Sequence, residues 1–536
     1  MMRSAYRWIF AGLAVSGIVG LSLAQTQKTL VIAVEGDVDT FDPAFSVGSI
    51  PTQTVAANVF EPLITPNIVD LKGPSGPYKG VDMDKLVGAI AESWQFDPKD
   101  PNTVIFKVRK GLKYTSGNPV TADDIVFGMR RIFESQSITT FLVGMGGAVT
   151  SASQFKKVDD FTVALTMKQG NTLTLKNMTL YNAAPVDSTQ VKANSTTADP
   201  WALDWFKKNQ GAGTGPFIFD SYTPGDKISL KANTAYYRGK PKLDNIVMKI
   251  VPDPSQRILL LKSGAVDMAD QVPVRELEGL KANPNIQVMS FPSTDQDRLI
   301  MNNKMAPFDN KLVRRAVAQA IPYDLIVKQV YQGYARVPAG PIENGMPTSD
   351  PSSWKIKTDL AKAKASLAQA GFKDGKGLPA IKLSVRIGND EWEREAVIIQ
   401  DALSKIGMDV TIDKLPFASF NEQQQAGKLQ LAVDSWISWV NDPYYHMFWN
   451  FYSKSPSNYG GYANPEIDKI LDQNMLAKNP TARATASRRA QKLIGEDVPQ
   501  VFLASPNFNV VMSKKVTGYV LMNDTLTRFF TMDKLP

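Results

Sequence analysis

Apolar and polar positions follow two rhythms that change place along the chain. Thr29-Leu-Val-Ile-Ala-Val34 is β-branched and mostly apolar, the pattern of a buried strand. An acidic loop, Glu35 to Pro43, leads to a helix predicted around Thr52 to Phe60. Pro62, Pro66, Gly73, Pro74, Gly76 and Pro77 then predict a long irregular connection, which reads as a domain crossing. Residues 85–170 read as short strands, with Thr103 to Arg109 alternating and Phe161 to Met167 apolar, around one strong helix. That helix starts at Thr121-Ala-Asp-Asp, where a hydroxyl and a carboxylate three residues apart can satisfy each other's backbone N–H groups. From Gly211 to Met268 turns separate the strands Phe217-Ile-Phe219, Ile228 to Lys231 and Ile246 to Val251.

From about 295 to 500 strands alternate with helices. Asp309 is expected to cap a helix carrying Leu312, Val313, Ala316, Val317 and Ala320 on one face. Asp359 is expected to cap Leu360 to Ala370, which Gly371 stops. Ile381 to Val385 is a strand, Arg394 to Ile406 a helix stopped by Gly407, and Val410 to Ile412 the next strand. This β–α–β alternation indicates an α/β fold.

At 536 residues the chain is long enough for two or three domains of roughly 100–200 residues. It holds no Cys and a single His, His446, which excludes disulfides, thiol catalysis, Cys zinc sites and every multi-His metal motif. No metal or other cofactor is expected. Arg3 and Arg7 precede an apolar run, Trp8 to Ala24, that ends Ser22-Leu-Ala24; residues 1–24 therefore read as a signal peptide cleaved before Gln25. No Cys follows the run, so a lipid-anchored N-terminus is not expected. The formal charge of +8 is mild for this length and is not gathered into a Lys/Arg block, so nucleic acid is not an expected partner. No later stretch is apolar enough to span a membrane.

Few segments suggest chemistry. Gly144-Met-Gly-Gly and Gly211-Ala-Gly-Thr-Gly215 complete no nucleotide-binding motif and read as turns. Asp123-Asp124 belongs to a helix start, where carboxylates suit the dipole, and Asp159-Asp160 to a turn. His446 is the one residue a secreted hydrolase could be built around, but it lies in an aromatic stretch that favours packing. That stretch, Trp436-Ile-Ser-Trp439-Val-Asn-Asp442-Pro443-Tyr-Tyr-His446-Met-Phe-Trp449, follows a strand predicted over Leu429 to Trp436. A loop after a strand in an α/β domain tends to lie at a ligand cleft, and aromatic rings give it rigid apolar walls. Trp436 and Trp439 are the leading candidates for a cleft; the competing expectation is that these rings are only core.

The chain resembles the extracytoplasmic solute-binding proteins of peptide-type ABC transporters, the dipeptide, oligopeptide and nickel group called family 5. The likeness is carried by Asp39-Thr-Phe-Asp-Pro43 with Asn58-Val-Phe-Glu-Pro-Leu63, and by Val108-Arg-Lys-Gly-Leu-Lys-Tyr114 with Thr121-Ala-Asp-Asp-Ile-Val126. Gly213-Thr-Gly-Pro-Phe217, Asn233 to Pro241, Leu261-Lys-Ser-Gly-Ala-Val-Asp267 and Pro307 to Ala316 follow in family order. The resemblance implies a bilobal periplasmic-binding-protein clamp (type II, cluster C-like) with an extra inserted domain. It implies a discontinuous domain I of residues 25–65, 205–290 and 505–536, an inserted domain II of 66–204, and a domain III of 291–504. The ligand would lie between domains I and III. A monomeric, periplasmic, non-enzymatic protein that delivers its solute to an ABC permease is expected.

Dipeptide binders of the family grip both ends of the ligand, an Arg taking the carboxylate and an Asp in a Trp-x-x-Asp-x-x-Asp-Pro loop taking the ammonium. In this sequence Arg386 falls at the Arg position, while Trp439 stands where that Asp would be. Phe417 matches an aromatic wall position, Gly388 replaces a Tyr, and Gly48 and Ser49 join the expected ligand-binding set. An indole offers a donor and no acceptor, so simple zwitterionic dipeptides are expected to bind poorly. A peptide whose ammonium sits elsewhere, with Asp442 able to help, is the leading expectation. An oligosaccharide stacked on Trp436 and Trp439 is the alternative. A nickel ligand is disfavoured because at most one His could coordinate.

Overall fold

The computed structural model describes residues 27–73 and 76–536. The signal-peptide expectation for residues 1–24 lies outside them. Two large sheets dominate. The first has seven strands in the order Ile286–Phe291, Phe508–Ser513, Met268–Ala269, Thr29–Val34, Asn245–Ile250, Lys227–Ala232 and Phe217–Thr223. Thr29–Val34 is central and runs parallel to both neighbours, as its unbroken apolar run requires. The second has six strands in the order Ala335–Arg336, Gln500–Pro506, Gln296–Met301, Leu431–Trp436, Ile381–Arg386 and Val410–Leu415. The chain crosses between the sheets at residues 292–295 and again at Asn507. Asn507 Nδ2 donates to Ser290 Oγ, near the end of the strand that leads into the first crossing, at 3.1 Å.

A third, antiparallel sheet of Ala91–Asp97, Asp100–Val108, Thr162–Thr166 and Phe155–Asp159 carries the helix Ala122–Glu134. This helix has the expected capping box between Thr121 and Asp124. It is tied to the segment after Thr29–Val34 by a buried ion pair, in which Arg131 Nη1 donates to Asp42 Oδ1 at 3.0 Å and Arg131 Nε to the Trp201 carbonyl at 3.0 Å. Both charges are nearly inaccessible, so removing either would strand the other, typically at about 3–5 kcal/mol.

Two expectations need correction. Residues 62–77 are not an irregular connection: Ile64–Gly73 and Gly76–Gly88 form a two-stranded antiparallel ribbon. The ribbon absorbs its prolines because each strand has a free edge and the register shifts between Pro66 and Asn67. The helix Lys311–Ala320 is capped by Asn310, whose side chain accepts from the Leu312 N–H, rather than by Asp309 one residue earlier. Asp359 caps Leu360–Gln369 as expected, and Gly371 and Gly407 follow their helices with φ of 93° and 86°, a region that favours glycine.

Candidate functional site

Ile381–Arg386 runs parallel to both Val410–Leu415 and Leu431–Trp436, so the three strands end at one edge of the second sheet. That edge, where carboxyl ends of parallel strands open into loops, is where α/β sheets hold ligands. The register pairs Arg386 with Leu415, and the chain then turns at Pro416 into the helix Phe417–Gln425. Arg386 and Phe417 are thereby brought together from separate segments. The guanidinium carbon of Arg386 lies 5.1 Å from the centre of the Phe417 ring and 4.9 Å from that of Trp392. It is clamped between two aromatic faces, an arrangement attractive to a cation.

The nearby carboxylates are committed elsewhere. Asp390 pairs with Arg275 and Arg394, Glu393 pairs with Lys414, and Glu391 accepts from the Val274 N–H at 2.7 Å. Arg386 takes part in no ion pair among the described residues, and Phe417 is 43% exposed. The clamp is therefore open to solvent on one side, with its cation uncompensated.

Beneath it lies a group of buried acids that the sequence reading missed. Asp297 accepts from the Trp392 indole N–H at 3.1 Å and from the Tyr331 hydroxyl. Glu395, one turn beyond Trp392, is fully buried with neither oxygen hydrogen-bonded. Burial, and then the charge of Asp295, raise Asp297 well above the usual carboxylate range; burial, and then the charge of Asp297, raise Glu395 likewise. Burial likewise pushes Asp295 up to about 6. The available signal was the pattern Asp295-Gln-Asp297-Arg298 opening an otherwise apolar strand: charges inside such a run have to be paired or neutral.

Trp436 ends its strand half-buried. Its ring lies 6.0 Å from that of Trp449 and has the Arg298 guanidinium 5.6 Å from its centre, while Arg298 pairs with Asp434 at 3.0 Å. The Trp436 indole N–H is buried without a partner. Trp439 is partly buried and packs against the main core. Asp442 caps the helix Pro443–Phe451, and both of its oxygens accept from Arg483 Nη2, at 2.8 and 2.9 Å. Both oxygens are thus engaged by the helix start and Arg483. Helix start and ion pair account for the Asp-Pro turn.

Gly48 and Ser49 lie on the other large sheet's side of the molecule, after the central strand Thr29–Val34. Ser49 caps the helix Ile50–Val59 and donates to the Asp37 carbonyl at 3.0 Å. A Cβ at Gly48 would come within 1.8 Å of Asp39 Oδ2, so a side chain there would have to displace the Asp39 carboxylate. His446 is buried, bonded through Nδ1 to Ser438 Oγ at 3.0 Å, and pushed down to about 3 by burial. The pair is sealed in the core, as the packing reading of His446 required. Among the described residues no cluster of three or more metal-ligating side chains exists.

A cavity of about 590 Å³ lies elsewhere. Phe96, Leu173 and Lys176 line it from the side of the antiparallel sheet, and Asp442, Leu476 and Lys478 from the side of the six-stranded sheet. It includes neither Arg386 nor Trp436. The sheet edge offers an exposed aromatic wall and a guanidinium without an ion pair among the described residues; in the cavity Lys176 and Arg483 are paired with Asp84 and Asp442, and Lys478 reaches only Asn102 Oδ1 at 3.5 Å.

Residues 85–459 match the family described as bacterial extracellular solute-binding proteins, family 5 middle. The chain belongs to that family. The probable D,D-dipeptide-binding periplasmic protein DdpA of Escherichia coli is 28% identical over 520 residues, 96% of this chain and 95% of the relative. Heme-binding protein A of Haemophilus influenzae is 27% identical over 459 residues, 81% of each chain. Among solved structures, the periplasmic binding protein DppA from Helicobacter pylori in complex with peptide STSA superposes with a TM-score of 0.82 at 25% identity, covering 95% of this chain and 99% of that one. The family 5 chain thus has the bilobal binding-protein fold with an inserted domain. No helix among its described residues is long and apolar enough to cross a membrane.

Proposed function

We propose that this family 5 protein captures a peptide or peptide-like solute outside the cytoplasmic membrane and hands it to an ABC permease. It does so as a monomer and without catalysis. Residues 25–65, 205–290 and 505–536 form one lobe and 291–504 the other, with 66–204 inserted, and the crossings at 292–295 and Asn507 act as the hinge. Arg386 receives the anionic end of the ligand. Phe417, Trp436 and Trp439 supply its walls, and Gly48 and Ser49 face it from the opposite lobe.

One observation carries this reading: Arg386 is clamped by two rings, is open to solvent and has no carboxylate partner among the described residues. A cation held that way is suited to a ligand carboxylate, because charge-assisted hydrogen bonds to a pre-positioned guanidinium are among the strongest polar contacts. The relatives support a peptide: one is named for D,D-dipeptides and one solved structure holds the peptide STSA. Native mass spectrometry of protein purified from its source, followed by calorimetry, tests the proposal. A carried peptide whose C-terminal amide binds at least about tenfold more weakly than the acid supports it. A neutral oligosaccharide as the carried solute replaces it with the stacking alternative.

A further inference from the structure

Arg386 has little of its own to hold it. It ends a strand, is followed by the exposed Ile387 and by Gly388 at φ 88°, and has no ion pair among the described residues. A long side chain in such a place ordinarily samples many rotamers, and ordering it on binding costs free energy. What restrains it is the Trp392 face on one side and the Phe417 face on the other. Phe417 is 43% exposed and can swing, but Trp392 is only 7% exposed. Trp392 is fixed at both ends: its backbone N–H donates to the capping Asn389 at 3.0 Å, and its indole N–H donates to Asp297 at 3.1 Å. Asp297 is in turn fixed from its other oxygen by the Tyr331 hydroxyl.

We propose that Trp392 and Asp297 are positioning residues that hold the Arg386 guanidinium in its binding orientation before the ligand arrives. The inference rests on the reading that Arg386 receives the ligand's anionic group. Asp297 does not touch the ligand. It fixes the indole plane by accepting the indole N–H, and so holds the ring face toward the cation. Phe417 closes the clamp from the far side. The clamp thus leaves the N–H edge of the guanidinium uncovered and fixed, so the part of the solute it takes is a planar, bidentate anion such as a carboxylate.

Nitrogen-15 NMR of the intact protein, labelled at arginine Nε, tests this without a ligand. Arg386→Lys assigns the Arg386 resonance by its disappearance. In the wild-type protein that resonance is expected upfield of the exposed-arginine envelope, shifted by the two rings. Trp392→Leu should return it to the envelope. Trp392→Phe, which keeps a ring face, should retain most of the shift. Asp297→Ala, which removes the acceptor, should move the Trp392 indole resonance and broaden that of Arg386. Melting curves on each variant separate these effects from loss of fold, and Trp392→Phe provides the readout if Trp392→Leu does not fold. A wild-type Arg386 signal inside the envelope, or one unmoved in Trp392→Leu, overturns the proposal. Tri-L-alanine and tri-L-alanine amide form a separate arm. Equal affinity for the two defeats the reading of Arg386 as anion receptor, whereas a shifted NMR signal would still show the clamp.

Discussion

Two regions of this protein are built from the same three parts. At one, Arg386 lies between the Trp392 and Phe417 rings with carboxylates nearby. At the other, Arg483 lies 4.4 Å above the Tyr444 ring, and Asp442 is bonded to it twice. The second set is closed on itself: ring, cation and carboxylate satisfy one another and start a helix. The first is left open, because Asp390, Glu391 and Glu393 are each bound to other partners. Residue types do not separate the two regions. The count of acceptors already in use does: it makes one a structural joint and leaves the other free for the solute proposed to bind there.

The largest effects should fall on the closed set. Asp442→Ala leaves Arg483 without its carboxylate and removes a helix cap, so we expect a stability loss of about 3 kcal/mol. Affinity for the carried solute should change little. A melting curve paired with calorimetry checks both, and an affinity loss without destabilisation would erase the contrast. At the open set the pattern should invert. Arg386→Ala should cost about 2–5 kcal/mol of binding, yet shift unfolding by no more than about 0.5 kcal/mol.

Trp439→Asp sharpens the contrast at the loop that links the two sets. It removes stacking area and places a charge in a cleft that closes, so the carried solute should bind more weakly, by about 1–2 kcal/mol. The substitution supplies the acceptor that simple dipeptides lack in the unmodified protein, so their relative affinity should rise. Tight binding of simple dipeptides by the unmodified protein would contradict this.

A last expected effect is in pH. Asp295, near the open set, is raised to about 6, chiefly by burial. The folded protein keeps this proton after the unfolded chain has released its own near pH 4. The stability it contributes is therefore full below about pH 4 and is lost as pH rises toward 6. Asp295→Asn should flatten the stability profile across that window. Equal slopes for variant and wild type would mean that the acid is not buried as described.

Much of this architecture was legible in the chain. Periodicity located the strand Ile381–Arg386, the capping box at Thr121 and the helix after Asp359, because each depends on neighbours within a few residues. The meeting of Arg386 with Phe417 was foreseen only as two members of one site; their contact depends on the register that pairs Arg386 with Leu415. The ribbon over 64–88 was missed because prolines signal breaks locally, while a free edge that tolerates them is a tertiary fact. Trp392 and Asp297 escaped notice for a similar reason. One reads as a helix residue and the other as a strand residue, and only packing brings indole and carboxylate to 3.1 Å. The Asp442–Arg483 pair was not legible because its partners lie 41 positions apart.

The central claim is that the open arginine receives the solute. A crystal structure of the protein with the solute it carries when purified from its source tests this most directly. The account predicts an anionic group of that solute about 3 Å from the Arg386 guanidinium, with Phe417 and Trp436 against its body. A solute seated instead in the cavity beside Lys176 and Lys478, or one that leaves Arg386 facing solvent, would contradict it.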